Sequence, residues 1–261
     1  VKAGFSFRHP PSAIRHEETP VVKMLAGTSG YSYKAWLGSF YPEKLPAKEM
    51  LRYYAGHFPT VEINNTFYRM PAEAMLAGWA NEVPASFTFT LKAPQRITHQ
   101  KRLREAGEDV AEFLRRAAAL GGKLGIVLFQ LPPFLRKDLA RLEDFLAALP
   151  PAPRIAFEFR HATWQDDEVY ACLRERGAAL CVADTDEGDT PFVCTSDSGY
   201  LRLRRTHYDD KDLAGWAERI AAQPLARAYV YFKHEDEARG TGFARRFTEL
   251  WRAKQGTGNG D

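Results

Sequence analysis

The chain has 261 residues and only three cysteines, Cys172, Cys181 and Cys194. An odd number with no metal-ligand spacing excludes a disulfide framework and a cysteine-built zinc site. The thiols are expected to be reduced, in a reducing compartment. Cys181 alternates with apolar neighbours and reads as a small core hydrophobe. A large excess of one charge is also missing: 36 lysines and arginines face 33 aspartates and glutamates, a net +3. That is too slight to indicate nucleic acid by itself and hints at an anionic partner at most. No apolar run approaches the ~18 residues that a membrane span needs, so no membrane contact is expected. The first twenty residues are polar, are interrupted by Pro10, Pro11 and Pro20, and contain no signal-peptide core. A cytoplasmic protein is expected, with a flexible arm over 1–20 and a disordered tail over 254–261. No repeat or low-complexity linker divides the remainder, which predicts one domain over 21–253.

Within that stretch, short apolar strand signals alternate with helical patterns. Strands are predicted over 24–29, 60–64, 86–92, 125–130, 154–160, 178–184, 199–204 and 228–234. Helical periodicity lies between them in segments such as PAKEMLRYYAGHF, LRKDLARLEDFLAAL and DDKDLAGWAERIAAQ. Pro46 and Pro71 stand where helices start, and Gly121 and Gly177 where they stop. Strand and helix in alternation imply a parallel sheet, and eight such units predict an α/β fold closed as a TIM-like (β/α)₈ barrel.

The segment RIAFEFRHATW (154–164) shows why closure matters. Ile155, Phe157 and Phe159 suit a strand packed under helices, yet Glu158 and Arg160 alternate with them. In a barrel the second face of each strand points into the lumen, and its last residues line the site. The same alternation turns Glu62 and Asn64 inward, then Thr88, Thr90 and Lys92, then Gln130, then Arg202 and Arg204. It is read as placing Cys181 and Ala183 outward with Asp184 inward, and Lys233 at the end of the last strand. The ionisable lumen set is then Glu62, Lys92, Glu158, Arg160, Asp184, Arg202, Arg204 and Lys233, five positive against three negative. A surplus of that sign suits a substrate carrying carboxylate or phosphate, with arginine as a forked clamp. Strand-knitting ion pairs are the alternative for the arginines. A carboxylate beside an ammonium offers an acid/base pair, each shifting the other's pKa.

His99, His161, His207 and His234 all follow strands on one face of the expected barrel. With nearby carboxylates they could hold a divalent metal. No HExxH or close pair occurs, however, and Lys92, Arg160 and Lys233 would crowd a cation. No metal and no cofactor is therefore assigned. The loop GTSGYSYKAWLGSFYP (27–42) is long for a strand-to-helix turn. Its Gly27 and Gly30 could expose backbone N–H groups to an anion. Tyr31, Tyr33, Trp36, Phe40 and Tyr41 either wall the pocket or pack the loop down, as do Phe67, Tyr68 and Trp164 elsewhere. Aromatics interleaved with arginine and lysine keep a nucleic-acid reading open without favouring it.

Taken in order, TSGYSYKAWLGSFYP, TVEINNTFYRMP, FTLKAPQRITH, VLFQLPP, FEFRHATW, CVADT and YVYFKHED resemble the YecE-like family, domain of unknown function 72. The likeness runs from about residue 25 to residue 250. The resemblance implies a TIM-barrel-like fold and no established activity. It picks out Glu62, Asn64, Tyr68, Lys92, His99, Gln130, Glu158, Arg160, His161, Trp164 and Asp184. Where relatives often carry an asparagine pair after the last strand, this chain has Lys233 and His234, and an RLHG-like ending is RLRRTHY here.

The expectation is an enzyme acting on a small anionic substrate, a sugar acid or phosphate ester. Glu62, Glu158, Lys92, His99 and His161 are the catalytic candidates. Asn64, Tyr31, Tyr68, Gln130, Arg160, Trp164, Asp184, Arg202 and Lys233 are expected to bind substrate. A metal-dependent phosphodiesterase or nuclease, and a non-catalytic nucleotide or RNA binder, are the alternatives. Oligomeric state leaves no mark in the sequence.

Overall fold

The computed structural model of the chain describes residues 22–233 and 238–257. Nine strands are found there: β1 (Lys23–Ser29), β2 (Thr60–Ile63), β3 (Thr88–Lys92), β4 (Leu124–Gln130), β5 (Arg154–Glu158), β6 (Ala179–Thr185), β7 (Gly188–Asp189), β8 (Ser198–Leu203) and β9 (Arg227–Phe232). All except the two-residue β7 pair in parallel, and the β5–β6 pairing closes eight of them into a barrel. The seam is short: its register partners are Ala156 with Ala179 and Phe157 with Leu180.

The helices are α1 (Met50–Ala55), α2 (Asn65–Tyr68), α3 (Glu73–Glu82), α4 (Gly107–Ala117), α5 (Leu139–Ala148), α6 (Asp167–Arg176), α7 (Asp210–Ala221) and α8 (Arg239–Thr257). Their ends follow local chemistry. Asp138 and Asp166 cap α5 and α6 by accepting main-chain N–H bonds, and Asp209 and Asp212 form a reciprocal capping box on α7. Gly177 stops α6 in a left-handed conformation, φ 65°. One unit lacks its helix: β6 reaches β8 through the β7 hairpin and an irregular stretch. The fold is thus an α/β TIM-like barrel with one helix-free crossover. The last helix runs through Thr257, into the segment expected to be tail; residues 1–21 and 258–261 lie outside the described residues. Among the described residues no helix is long and apolar enough to cross a membrane.

Two apolar layers form because each strand is buried on both faces. Outward residues such as Val61, Phe89, Phe129, Phe157 and Leu201 pack under the helices. Inward residues Leu25, Ile126, Leu128, Ala156, Cys181 and Tyr229 fill the lower lumen. The loop after β1 is packed down by its own aromatics: Trp36, Phe40 and Tyr41 are buried and meet edge to face. Its glycines, which could have exposed N–H groups to an anion, are used by the fold itself. Gly27 lies inside β1, where a Cβ would meet the Thr60 carbonyl at 2.1 Å, and the Gly30 N–H donates to the Glu62 carbonyl at 2.8 Å.

Candidate active site

The upper lumen is polar because the inward positions near the carboxyl ends of the strands carry hydroxyl, carboxylate and guanidinium groups. The lowest layer is Tyr231, whose hydroxyl lies 2.8 Å from Thr60 Oγ1 and 2.6 Å from Thr90 Oγ1. Further toward the mouth, Arg202 joins two buried carboxylates. Its Nη1 donates to Glu158 Oε2 at 2.7 Å and its Nη2 to Glu62 Oε1 at 2.8 Å. Glu62 also accepts from Ser29 Oγ at 2.8 Å, Asn64 Nδ2 at 3.1 Å and the Tyr200 hydroxyl at 2.6 Å. Glu158 also accepts from Gln130 Nε2 at 2.7 Å, Arg160 Nε at 3.2 Å and Arg204 Nη2 at 3.4 Å. All four carboxylate oxygens therefore have donors.

Those donors decide the charge state. Burial pushes both carboxyls toward the neutral form, but the opposing guanidiniums and hydrogen bonds outweigh it. Arg202, helped by Tyr200 and Ser29, holds Glu62 below the usual carboxylate range. Arg202, Arg204 and Arg160 do the same for Glu158. Two carboxylates kept ionised and filled with donors suit a scaffold better than a proton exchange.

Lys92 is different. It ends β3 facing the lumen, is 8% exposed, and its Nζ sits 3.9 Å above the Phe67 ring. Among the described residues it has no carboxylate within ion-pair distance. Burial first and the Arg202 charge next push its pKa down to about 8, with Glu158 and Glu62 opposing. The face of Phe67 favours the ammonium, but by only about 0.5–2 kcal/mol. His99 packs edge-on to the same ring at 4.8 Å, and its Nδ1 lies 3.0 Å from Thr98 Oγ1. Burial, then Lys92 and Arg160, hold His99 below the usual imidazole range, so its ring is neutral at pH 7.

A cleft of about 890 Å³ opens beside this network, over β5, β6, β8 and β9. Arg160, Arg204 and Lys233 supply its cations, and Glu158 its floor. The β7 hairpin supplies Asp186, Glu187 and Asp189. All three acids are engaged: Asp186 accepts from the Thr206 N–H and hydroxyl, Asp189 from Arg219 at 2.9 Å, and Glu187 from the Thr185 hydroxyl at 3.5 Å. Arg204 Nε is buried without a hydrogen-bond partner among the described residues.

Glu62, Asn64, Lys92, His99, Gln130, Glu158, Arg160, Arg202 and Lys233 thus stand at or under the mouth. Of the five other predicted site residues, four stand elsewhere and Tyr68 stands on the rim. Asp184 points outward, not inward: it accepts from Tyr208 OH at 2.9 Å, Trp216 Nε1 at 3.0 Å and Arg205 Nε at 2.8 Å. The β6 residues before it are apolar on both faces of the strand, so sequence alternation leaves the facing ambiguous, and Cys181 turns in instead. Trp164 is buried against Phe159 with its indole N–H on the Leu135 carbonyl, 2.7 Å. Tyr31 packs on Tyr54 and Trp79, under the helices. His161 accepts from the Thr163 N–H and starts a short 3₁₀ turn. Tyr68, 74% exposed, lies on the rim beside Phe67. His207 sits against Phe243, so the expected histidine cluster does not form there, and His234 lies outside the described residues. Among the described residues no grouping of three His, Cys, Asp or Glu could hold a metal ion. Sequence reasoning missed Ser29 and Tyr200, which the lumen periodicity does mark, and the β7 hairpin, which no periodicity marks.

A closed parallel barrel with ionic side chains gathered at the carboxyl ends of its strands defines a TIM-barrel protein with a lumenal candidate site. Residues 25–259 match the family described as Protein of unknown function DUF72, and the chain belongs to that family. UPF0759 protein YecE of Escherichia coli (strain K12) is 32% identical over 141 residues, 52% of each chain, so the match spans about half of that relative. UPF0759 protein YunF of Bacillus subtilis (strain 168) is 28% identical over 194 residues, 68% of each chain. The crystal structure of a DUF72 family protein from Thermotoga maritima superimposes with a TM-score of 0.79 at 27% identity, covering 88% of this chain and 99% of that one.

Proposed function

We propose that the chain is an enzyme acting on a small hydroxylated anion, a sugar acid or phosphate ester, bound in the cleft over β5, β6, β8 and β9. The observation that carries this is the convergence of Arg160, Arg204 and Lys233 on one cleft. Arginine and lysine side chains bind carboxylate and phosphate oxygens through charge-assisted hydrogen bonds. The hairpin acids face the same space and suit the hydroxyls of such a ligand. In this reading Glu62 and Glu158 hold Arg202, Arg160 and Arg204 in place. Proton transfer falls to Lys92 and His99, the two groups whose pKa values are lowered toward neutrality or below it.

Titration calorimetry with gluconate and glycerol phosphate, against neutral sorbitol, tests the reading. The anions should bind and sorbitol should not. Losing one charge-assisted clamp costs about 1.5–3 kcal/mol, so Arg204→Met should weaken anion binding at least about tenfold. Equal binding of sorbitol, or unchanged affinity in the variant, would remove the cleft from this role.

A further inference from the structure

We infer that Lys92 binds its substrate covalently: the substrate carries an aldehyde or keto group beside its anionic group, and Lys92 Nζ forms a Schiff base with it. This rests on the anion-binding reading above and names the substrate class for it.

The argument starts from how the charges are shared. Two carboxylates lie in the upper lumen, and a lysine present only to balance them would sit on one. Instead Arg202 takes an oxygen of each, Arg160 and Arg204 share Glu158 Oε1, and Ser29, Asn64, Tyr200 and Gln130 fill the remaining sites. Arginine, which cannot shed its proton in a protein, does the electrostatic work. Lysine, which can, is left against an aromatic face at the end of β3. A strand end facing the mouth is where a barrel places reacting groups. A buried, unpaired ammonium loses its proton readily, and its lowering to about 8 agrees with that.

The step balances without an external oxidant or reductant. The ammonium first sheds one proton to cleft water; the Nζ lone pair then attacks the carbonyl carbon, a C–N bond forms, and the C=O π pair moves to oxygen, which takes that proton up from the water. The nitrogen gives a proton to the neutral His99 ring. The C–O bond then breaks, and oxygen leaves as water after recovering that proton. The product is an iminium whose positive charge replaces the ammonium's opposite Glu158 and Glu62. An anionic group on the substrate would extend toward Arg160 and Arg204.

The test uses the full chain with glyoxylate, the smallest anionic aldehyde, and sodium borohydride, followed by peptide mass mapping. Propanal serves as the neutral comparison. The reduced adduct should appear on the Lys92 peptide at least about tenfold ahead of any other lysine, because its free-amine fraction at neutral pH is far larger. Labelling should rise with pH to a half-point near 8, where Arg202, Arg160, Glu158, Glu62 and His99 are the charged or titratable groups around Nζ. It should vanish in Lys92→Met. Arg204→Met should slow labelling by glyoxylate more than labelling by propanal.

Adducts spread over exposed lysines, with Lys92 unmodified, would overturn the inference. Calorimetric binding of glyoxylate with no adduct would overturn the Schiff base and leave the anion reading standing. Equal labelling of Lys92 by propanal and glyoxylate, both indifferent to Arg204→Met, would keep the amine chemistry and overturn the anionic substrate. The mapping reads the unaltered chain, so it does not depend on either variant folding.

Discussion

Lys92 weighs on the stability of the chain at neutral pH. Its folded-state pKa is about 8 against 10.5 in the open chain. Between those values the unfolded chain binds more protons, so stability rises with pH across that window and the full penalty stands below it. A shift of this size corresponds to about 3 kcal/mol. Lys92→Met removes the buried charge and keeps most of the volume over Phe67. The variant should gain about 1–3 kcal/mol at pH 7 in urea unfolding, with the gain fading above about pH 10. A variant less stable than the parent at pH 7 would mean that the ammonium is well solvated where it sits. The same residue would then be a poor nucleophile.

At the scale of elements, β6 and the segment after β8 depend on one another. Asp184 reaches out of the barrel to hold Arg205 and Tyr208, and Asp186 holds Thr206. Together they fix the start of the chain that leaves Arg204 in the cleft. Asp184→Ala would strand the Trp216 N–H, the Tyr208 hydroxyl and the Arg205 guanidinium, at a cost of about 3–5 kcal/mol. Amide exchange over 204–208 should quicken ahead of the barrel strands, and unchanged protection there would show that the loop is held by other contacts. This region is also where sequence reading and structure part. In β2, β3 and β8 polar and apolar residues alternate cleanly, so Glu62, Lys92 and Arg202 were legible as lumen residues. ALCVAD offers no such contrast, because Ala and Cys fit either side of a barrel wall. A lone acid at the end of such a strand looks like a site residue until Trp216, more than thirty positions on, is brought beside it. The β7 hairpin was illegible for another reason: turn residues carry no period, and their meaning is set by what they face.

Over the whole molecule, the mouth network ties folding to acidity. The folded pKa values of Glu62 and Glu158 lie below their open-chain values. Their contribution is therefore complete above the ordinary carboxylate range and is lost as pH falls through the folded values. Each group adds up to about 1.4 kcal/mol of slope per pH unit in that acid range. Glu158→Gln should unfold with a visibly flatter stability profile below about pH 4 than the parent chain, measured by denaturant midpoints at stepped pH. Parallel profiles would mean that Glu158 titrates alike in both states. Exposed pairs such as Arg246 with Asp210 contribute little by comparison, since both partners remain in water.

Because Arg160 and Arg204 at once face the cleft and neutralise Glu158, this barrel cannot drift freely in what it recognises. A mutation that retunes either arginine for a different ligand also uncovers a buried carboxylate, so selection on specificity is taxed by selection on folding. Laboratory libraries built at these two positions should yield new binders mainly in backgrounds where Glu158 has changed as well. Variation should come more easily at Glu187 on the β7 hairpin, which borders the same space and whose carboxylate is held by a 3.5 Å contact from the Thr185 hydroxyl.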